Sequence, residues 1–152
     1  MSKNENMMAQ LQRYYSLWKD CNAMYESWAK EQGLSSNGVF VLYSFYENDG
    51  NCTQKAISEK WNIPKQTVNT ILKDFLNCGY VEMFSMPEDK RNKIVRLTES
   101  GKNFAQTVIG KLHEKEIYVL KKMGFKNIKN LNDNLESFIR IFRQGGFEKG
   151  ES

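Results

Sequence analysis

Residues 63–101 read IPKQTVNTILKDFLNCGYVEMFSMPEDKRNKIVRLTESG, and the order of patterns in this stretch decides the fold. Apolar residues recur at helical spacing after a proline, and a glycine ends that pattern. Two short segments, 81–85 and 92–97, then flank a turn built on the letters MPED. A short helical pattern over about 53–61 precedes the stretch. The chain is therefore predicted to form a helix-turn-helix followed by a β-hairpin.

The second helix of this unit is expected to bury one side and expose the other. Pro64 fits its first turn, because a prolyl nitrogen there loses no intrahelical hydrogen bond, and Gly79 ends it. The apolar stripe consists of Val68, Ile71, Leu72, Phe75 and Leu76. The polar side includes Gln66, Asn69, Thr70 and Lys73, with Lys65 at the entrance. Amides and hydroxyls can donate or accept hydrogen bonds at base edges, whereas lysines suit phosphates.

The hairpin carries four cations within seven residues that contain no acid: Lys90, Arg91, Lys93 and Arg96. Such crowding is tolerated beside a polyanion or in open solvent. Two interpretations stay open, contact with DNA or a solvated hairpin whose charges protect an exposed edge strand from aggregation. A helix-turn-helix followed by a charged hairpin is an arrangement that holds double-stranded DNA, which favours the first interpretation.

The N-terminal part is predicted to be one long helix that ends at Gly33. Its apolar seam follows alternating steps of three and four residues through Leu11, Tyr14, Trp18, Cys21, Tyr25 and Trp28. This seam is longer than one small domain needs, so part of it is expected to meet another chain or the C-terminal helices. A further helix follows, capped by Ser35 or Ser36.

The C-terminal part is predicted to contain two more helices. A long helix opens at residues 98–101 and is interrupted by Gly124. The last helix runs from about Ile128 to Gln144 and repeats an apolar seam at Leu131, Leu135, Phe138 and Phe142. Residues 146–152, which are rich in glycine and charge, are expected to form a flexible tail.

Composition excludes several classes of protein. No run approaches the ~18 apolar residues of a membrane span, and the N-terminus lacks the apolar core of a secretory signal, so we expect no membrane contact and a cytoplasmic location. The 3 cysteines are widely spaced, without a CxxC or Cys/His cluster, so we expect neither a disulfide framework nor a metal site. With 1 histidine, no phosphate loop and no nucleophile beside a base, we expect no cofactor and no enzyme activity.

The net charge of +4 is informative only when it is divided along the chain. Residues 1–52 carry 4 basic and 6 acidic side chains, residues 53–98 carry 8 and 5, and residues 99–152 carry 10 and 7. This excess falls well short of the polybasic balance of a nonspecific nucleic-acid coat. Any contact with DNA must therefore come from a local patch.

The quoted run resembles the recognition helix, wing and following helix start of the MarR family of bacterial transcription regulators. The strongest matches are LNCGYV between helix and strand, DKR at the tip of the wing, and LTESG where the wing closes. The resemblance implies a mainly α protein with a small β-wing. It also implies a winged helix-turn-helix DNA-binding domain at 34–101, dimerisation regions at 1–33 and 102–145, and the tail at 146–152.

The resemblance also assigns residues to DNA. In the family a wing-tip arginine reaches the minor groove and a neighbouring aspartate helps to orient it; these roles carry over to Arg91 and Asp89. Glu88 precedes Asp89 and makes the local field less positive. The full set of predicted DNA contacts is Lys65, Gln66, Thr67, Asn69, Thr70, Lys73, Asp89, Lys90, Arg91 and Lys93.

The function that we expect is that of a homodimeric repressor on a pseudo-palindromic operator, with half-sites roughly 10 base pairs apart. MarR-like dimers often bind small, frequently aromatic effectors, and coarse position makes Trp18, Tyr43 and His113 the candidate contacts. One alternative is a redox-responsive regulator that uses Cys21, although a buried, inert thiol is expected there because only Lys19 supplies a nearby positive charge. Another alternative is a winged-helix module that binds protein.

Overall fold

The computed structural model describes residues 3–89, 91 and 93–145; the predicted tail at 146–152 lies outside them. These residues form six helices and three strands: α1 (Lys3–Glu31), α2 (Ser36–Glu47), β1 (Asn51–Thr53), α3 (Gln54–Trp61), α4 (Lys65–Asn77), β2 (Val81–Ser85), β3 (Lys93–Leu97), α5 (Glu99–Met123) and α6 (Phe125–Gln144). The chain divides into two compact units, residues 1–110 and 111–152, and α5 runs through the division.

The core of the first unit combines α2, α3, α4, the sheet and the first half of α5. Its largest fully buried side chains include Leu42, Phe45, Ile57, Leu72 and Ile109. Removing each such side chain from water contributes about 1.5–3 kcal/mol to the free energy of folding. Helix α2 begins where Ser35 Oγ accepts a hydrogen bond from the Gly38 N–H at 3.0 Å, which selects Ser35 over Ser36 as the cap.

The three strands form an antiparallel sheet in the order β1-β3-β2. The predicted hairpin is confirmed: Val81 pairs with Leu97 at its base and Ser85 with Lys93 near its tip. Strand β1 was not predicted. It has three residues beside a turn, too few for alternation to be visible, and it becomes a strand because it pairs with the distant β3.

The turn between α3 and α4 is closed by two hydrogen bonds between the same two residues. The Ile63 N–H donates to the Ser58 carbonyl at 3.1 Å, and Ser58 Oγ donates to the Ile63 carbonyl at 2.7 Å. Asn62 adopts the left-handed conformation, with φ 52°, which asparagine tolerates. Pro64 lies at the N-cap, one residue before the predicted first turn of α4.

Helix α4 ends in a Schellman motif. The Gly79 N–H donates to the Leu76 carbonyl at 3.0 Å, and the Tyr80 N–H donates to the Phe75 carbonyl at 2.9 Å. Gly79 supplies the left-handed φ of 75° that the motif requires. The Tyr80 ring meets the Phe75 ring edge to face, with 6.3 Å between centroids, so the motif also has its hydrophobic contact. The letters LNCGYV encode this turn.

The start of α5 is attached to the same turn. Thr98 Oγ1 donates to the Gly79 carbonyl at 2.6 Å, accepts from the Gly101 N–H at 3.1 Å, and so caps α5. The Thr98 N–H donates to the Tyr80 carbonyl at 2.9 Å, and the Tyr80 ring stacks on Phe104 with 4.4 Å between centroids. The residues of the LTESG run therefore attach the base of the hairpin to α5.

The second unit consists of the end of α5 and α6. Gly124, with φ 84°, separates the two helices, and α6 begins at Phe125, three residues before the predicted start. The Gly124 carbonyl accepts from the Asn127 and Ile128 N–H groups, which adds this first turn. Among its described residues α6 buries none. Its predicted apolar seam is exposed: Leu131, Leu135, Phe138 and Phe142.

Helix α1 leaves the middle of its seam uncovered in the single chain, whereas Leu11, Tyr14, Tyr25 and Trp28 are half-buried. Trp18 is 61% exposed, and Ala29 is the one buried residue among the described residues of the helix. Cys21 is exposed, so the expectation that its thiol is buried is wrong. The reason is that no part of the described chain covers this stretch of α1, which is the condition expected of a surface that another chain covers.

Candidate nucleic-acid interface

Helix α4 presents a continuous polar row to solvent. Gln66, Thr70, Lys73 and Asn77 follow one another at steps of four, three and four residues, and all four are exposed. Lys65 is exposed at the start of the helix, whereas Thr67 and Asn69 are half-buried on opposite flanks of the row. The row therefore offers amide, hydroxyl and ammonium groups on one side of a single helix.

The buried side of α4 fixes this row in place. Val68, Leu72 and Phe75 are buried, as predicted, whereas Leu76 is 43% exposed because it lies at the edge of the stripe. Gln54 of α3 donates through Nε2 to the Lys65 carbonyl at 3.2 Å, which ties the first turn of α4 to the preceding helix. A rigid base of this kind keeps the directions of the exposed side chains defined.

Two residues of α4 carry chemistry that was not predicted. Asn77 belongs to the same row as Gln66 and Lys73, and extending the helical period by one turn would have found it. Asp74 is exposed on the flank of the row; its carboxylate can accept from the amino group of cytosine but is repelled by phosphates. Thr70 Oγ1 donates to the Gln66 carbonyl at 3.1 Å, so its proton is engaged within the helix and the hydroxyl oxygen is left as an acceptor.

The tip of the hairpin is organised by Asp89. Its Oδ1 accepts from the Arg91 N–H at 3.0 Å, so the aspartate holds the backbone that carries the arginine. Asp89, Arg91 and Lys93 are all exposed. Lys90, the remaining predicted contact of the hairpin, lies outside the described residues. Of the ten predicted DNA contacts, six thus lie on α4 and three on the hairpin.

The predicted effector residues lie in different settings. Tyr43 of α2 is half-buried; its ring meets Trp61 edge on, with 5.7 Å between centroids, and Lys60 Nζ lies 5.6 Å above it. Trp18 is exposed on α1, in the first unit, and His113 is half-buried on α5, in the second. An open groove of about 630 Å³ follows α6, and none of the three lines it.

The three cysteines differ in exposure. Cys21 and Cys78 are exposed and Cys52 is half-buried in β1, and all three are free thiols. Burial raises the pKa of the Cys52 thiol, and this effect exceeds the opposing effects of the Thr53 backbone and Lys60. Cys52 is therefore a protonated, weakly nucleophilic thiol at neutral pH.

Metal binding and membrane crossing find no support within residues 3–89, 91 and 93–145. In that part of the chain no group of three or more His, Cys, Asp and Glu side chains is arranged to hold a metal ion. None of its helices has the length and apolar character that crossing a bilayer requires.

Two helices, of which the second exposes a polar row, together with a three-stranded sheet that contains a basic hairpin, define a winged helix-turn-helix protein. The family model described as "MarR family" matches residues 32–91, which run from just before α2 to the tip of the hairpin. Over these residues the chain matches the MarR family of transcription regulators, and its fold is that of a MarR family regulator of known structure.

Named relatives extend the similarity over most of the chain. The HTH-type transcriptional regulator SarZ of Staphylococcus epidermidis is 26% identical over 126 residues, which are 83% of each chain. The structure of NMB1585, a MarR family regulator from Neisseria meningitidis, has a TM-score of 0.68 at 26% identity and covers 95% of this chain and 96% of its own. Reduced AbfR, solved bound to DNA, has the same fold, with a TM-score of 0.68 at 21% identity over 93% of this chain and 99% of its own.

Proposed function

We propose that the chain is a sequence-specific regulator that binds double-stranded DNA as a homodimer on a pseudo-palindromic operator, and that it represses transcription there. The observation that carries the proposal is the exposed row of Gln66, Thr70 and Lys73 on a helix held by a helix-turn-helix, beside a hairpin with an exposed arginine at its tip. AbfR, which has the same fold, was solved bound to DNA, and this supports DNA as the partner.

Helix α4 and the hairpin have different roles in the recognition of DNA. The amides of Gln66 and Asn69 have paired donors and acceptors that match the major-groove edge of adenine. Lys65 and Lys73 bind phosphates. Arg91 enters the minor groove, and the hydrogen bond from the Arg91 N–H to the Asp89 carboxylate sets its direction. Each neutralised phosphate releases counterions, so the affinity falls steeply as salt rises.

A second copy of the chain is the proposed occupant of the exposed α6 seam and of the uncovered middle of the α1 seam, at Trp18 and Cys21. The dimerisation regions would be residues 1–33 and 102–145, on either side of the DNA-binding domain at 34–101. Phe142 is 79% exposed and stacks on Phe138, with 6.4 Å between ring centroids. An apolar surface of this extent on a charged helix is typical of an association face.

We further propose that a small aromatic molecule releases the protein from DNA, with Trp18, Tyr43 and His113 as its contacts. This molecule would shift the equilibrium between the DNA-binding and non-binding shapes of the dimer, because its affinity for the two shapes differs. The measurement is DNA affinity in the presence of benzoate and other small aromatic acids, for the wild type and for Trp18→Ala. Release of the wild type alone supports the assignment, and release of neither protein contradicts it.

Substitutions in the hairpin and in α4 should have different effects on DNA binding. We expect Arg91→Ala to weaken all sequences similarly and to lower the slope of log affinity against log salt by about one, because a charge contact is lost. We expect Asn69→Ala to cost about 1–3 kcal/mol and to relax the preference at one base position, because a bidentate amide is lost. Salt titrations and competition with singly altered duplexes measure the two effects.

Lys129→Ala is the control for these variants. Lys129 is an exposed lysine on α6, where its Nζ lies 2.5 Å from Asp133 Oδ2, and it belongs to neither α4 nor the hairpin. Its removal takes away the same unit charge as Arg91→Ala and is expected to leave the affinity, the salt slope and the base preference unchanged. Unaltered DNA binding by both Arg91→Ala and Asn69→Ala would overturn the proposed reading surface and favour a protein-binding module instead.

Oxidation of Cys21 is the alternative means of control; this thiol is exposed in the single chain and lies on the α1 seam that is proposed to face the second copy. Peroxide titration of DNA affinity, in the wild type and in Cys21→Ser, separates this alternative from control by a small molecule. Loss of affinity in the wild type alone would establish redox control. If both proteins keep full affinity across the titration, redox control through Cys21 is excluded.

A further inference from the structure

The outer face of the hairpin carries an aromatic ring with a cation above it. Phe84 lies on β2 and is 42% exposed, on the face opposite to the buried Val81. The guanidinium carbon of Arg96 lies 5.0 Å from the centroid of the Phe84 ring, within the range of a cation–π contact. Phe84 is thus an exposed aromatic residue whose ring contacts a cation.

The register shows what this contact joins. Phe84 pairs with Ile94, and Arg96 pairs with Glu82, so the contact between Phe84 and Arg96 crosses the hairpin on the diagonal. It links β2 to β3 one residue before β2 ends at Ser85. The loop that carries Arg91 begins directly after this point.

The contact between Phe84 and Arg96 joins β2, which lies at the edge of the sheet, to the central strand β3. Strand β3 is paired on both sides, with β1 and with β2, whereas β2 is paired with β3 alone. The base of β2 is held by the turn at Tyr80, but its outer end has no second strand beside it among the described residues. A side-chain link near that end limits the twist and splay of the hairpin at the point from which the tip projects.

We propose that Phe84 and Arg96 form a positioning pair that sets the direction of the wing tip and thereby the approach of Arg91 to the minor groove. The proposal rests on the proposed function. Arg96 acts in it through the ring of Phe84 and not as a phosphate ligand, because its guanidinium lies over that ring. Neither residue contacts a base.

A double-mutant cycle in two backgrounds tests the pair. The affinity for one duplex, enriched from a random library by the wild type, is measured for Phe84→Leu, Arg96→Gln and the double variant, each with and without Arg91→Ala. We expect each single change to weaken binding about two- to fivefold, the range of an exposed cation–π contact. The double variant should bind no more weakly than the weaker single variant, and Phe84→Leu should have no further effect once Arg91→Ala is present.

Glu82→Gln is the control on the same face of the hairpin. It changes the charge next to Arg96 but keeps the ring, and it should not weaken binding. Both residues of the pair are exposed, so thermal unfolding of each variant should match the wild type. A melting temperature that stays constant while affinity falls separates positioning from loss of folded protein.

Three results would overturn the pair. If Phe84→Leu binds as tightly as the wild type while Arg91→Ala binds more weakly, the DNA-binding function stands and the pair does not. A lowered salt slope for Arg96→Gln, with Phe84→Leu unchanged, would make Arg96 a phosphate ligand instead. Absence of any duplex preference in the wild type would overturn the proposed function, and the pair with it.

Discussion

Replacing Gly101 with alanine is expected to lower the free energy of unfolding by about 3 kcal/mol, at the upper end of overpacking effects. A Cβ atom at this position would lie 1.9 Å from the Tyr80 carbonyl oxygen and 2.8 Å from its carbon. Backbone atoms cannot turn aside as a flexible side chain can. The same Tyr80 oxygen accepts from the Thr98 N–H, so α5 cannot move away without losing the bond that attaches it to the hairpin.

Gly110→Ala is the matched control within the same helix. A Cβ at Gly110 would meet only Gln106 Nε2 at 3.7 Å, an ordinary contact, so this change should stabilise the protein by about 0.5–1 kcal/mol through the helix propensity of alanine. Urea and thermal unfolding measure both variants, and the melting temperature of Gly101→Ala should fall by roughly 6–12 °C. Equal stability of Gly101→Ala and the wild type would show that α5 does not approach Tyr80 this closely.

Replacing Phe142 with glutamate is expected to convert the protein to a monomer and to weaken operator binding by about 100-fold or more, because linked half-sites gain that much from being bound together. Phe142 is 79% exposed in the single chain, so the change should leave the fold of each copy intact. A carboxylate placed in an apolar seam opposes association, since it would have to lose its hydration. Sedimentation equilibrium and titration of the operator duplex measure the two effects.

Gln144→Glu is the control for this prediction. Two positions along an α-helix correspond to about 200°, so Gln144 lies on the opposite side of α6 from Phe142. The variant introduces the same charge at the same end of the helix and should remain a dimer with full affinity. A Phe142→Glu protein that stays dimeric would remove the α6 seam from the proposed interface.

Much of the DNA-binding unit could be predicted from local signals. Gly79 and Pro64 mark the ends of α4, and Ser35 and Thr53 cap their helices through a single side-chain bond each. These features depend on residues within about one helical turn of each other, so they can be recognised from the sequence alone. The polar row on α4 follows from the same period.

The features that the sequence did not reveal depend on contacts between distant segments. Strand β1 exists because it pairs with β3, and the contact between Phe84 and Arg96 depends on the register of the hairpin. The need for glycine at position 101 arises from the Tyr80 backbone, 21 positions earlier in the chain. The exposure of Cys21 likewise depends on what covers α1, which periodicity within one helix cannot determine.

Selection of bound sequences from a library of random duplexes tests the central claim most directly, because every possible half-site competes for the protein on equal terms. Two copies that each present α4 and a wing should enrich an inverted repeat whose half-sites are roughly 10 base pairs apart, one turn of the duplex. Enrichment of that repeat is the result we predict. Recovery of an unchanged random library at low salt would contradict the claim that this protein reads DNA as a dimer.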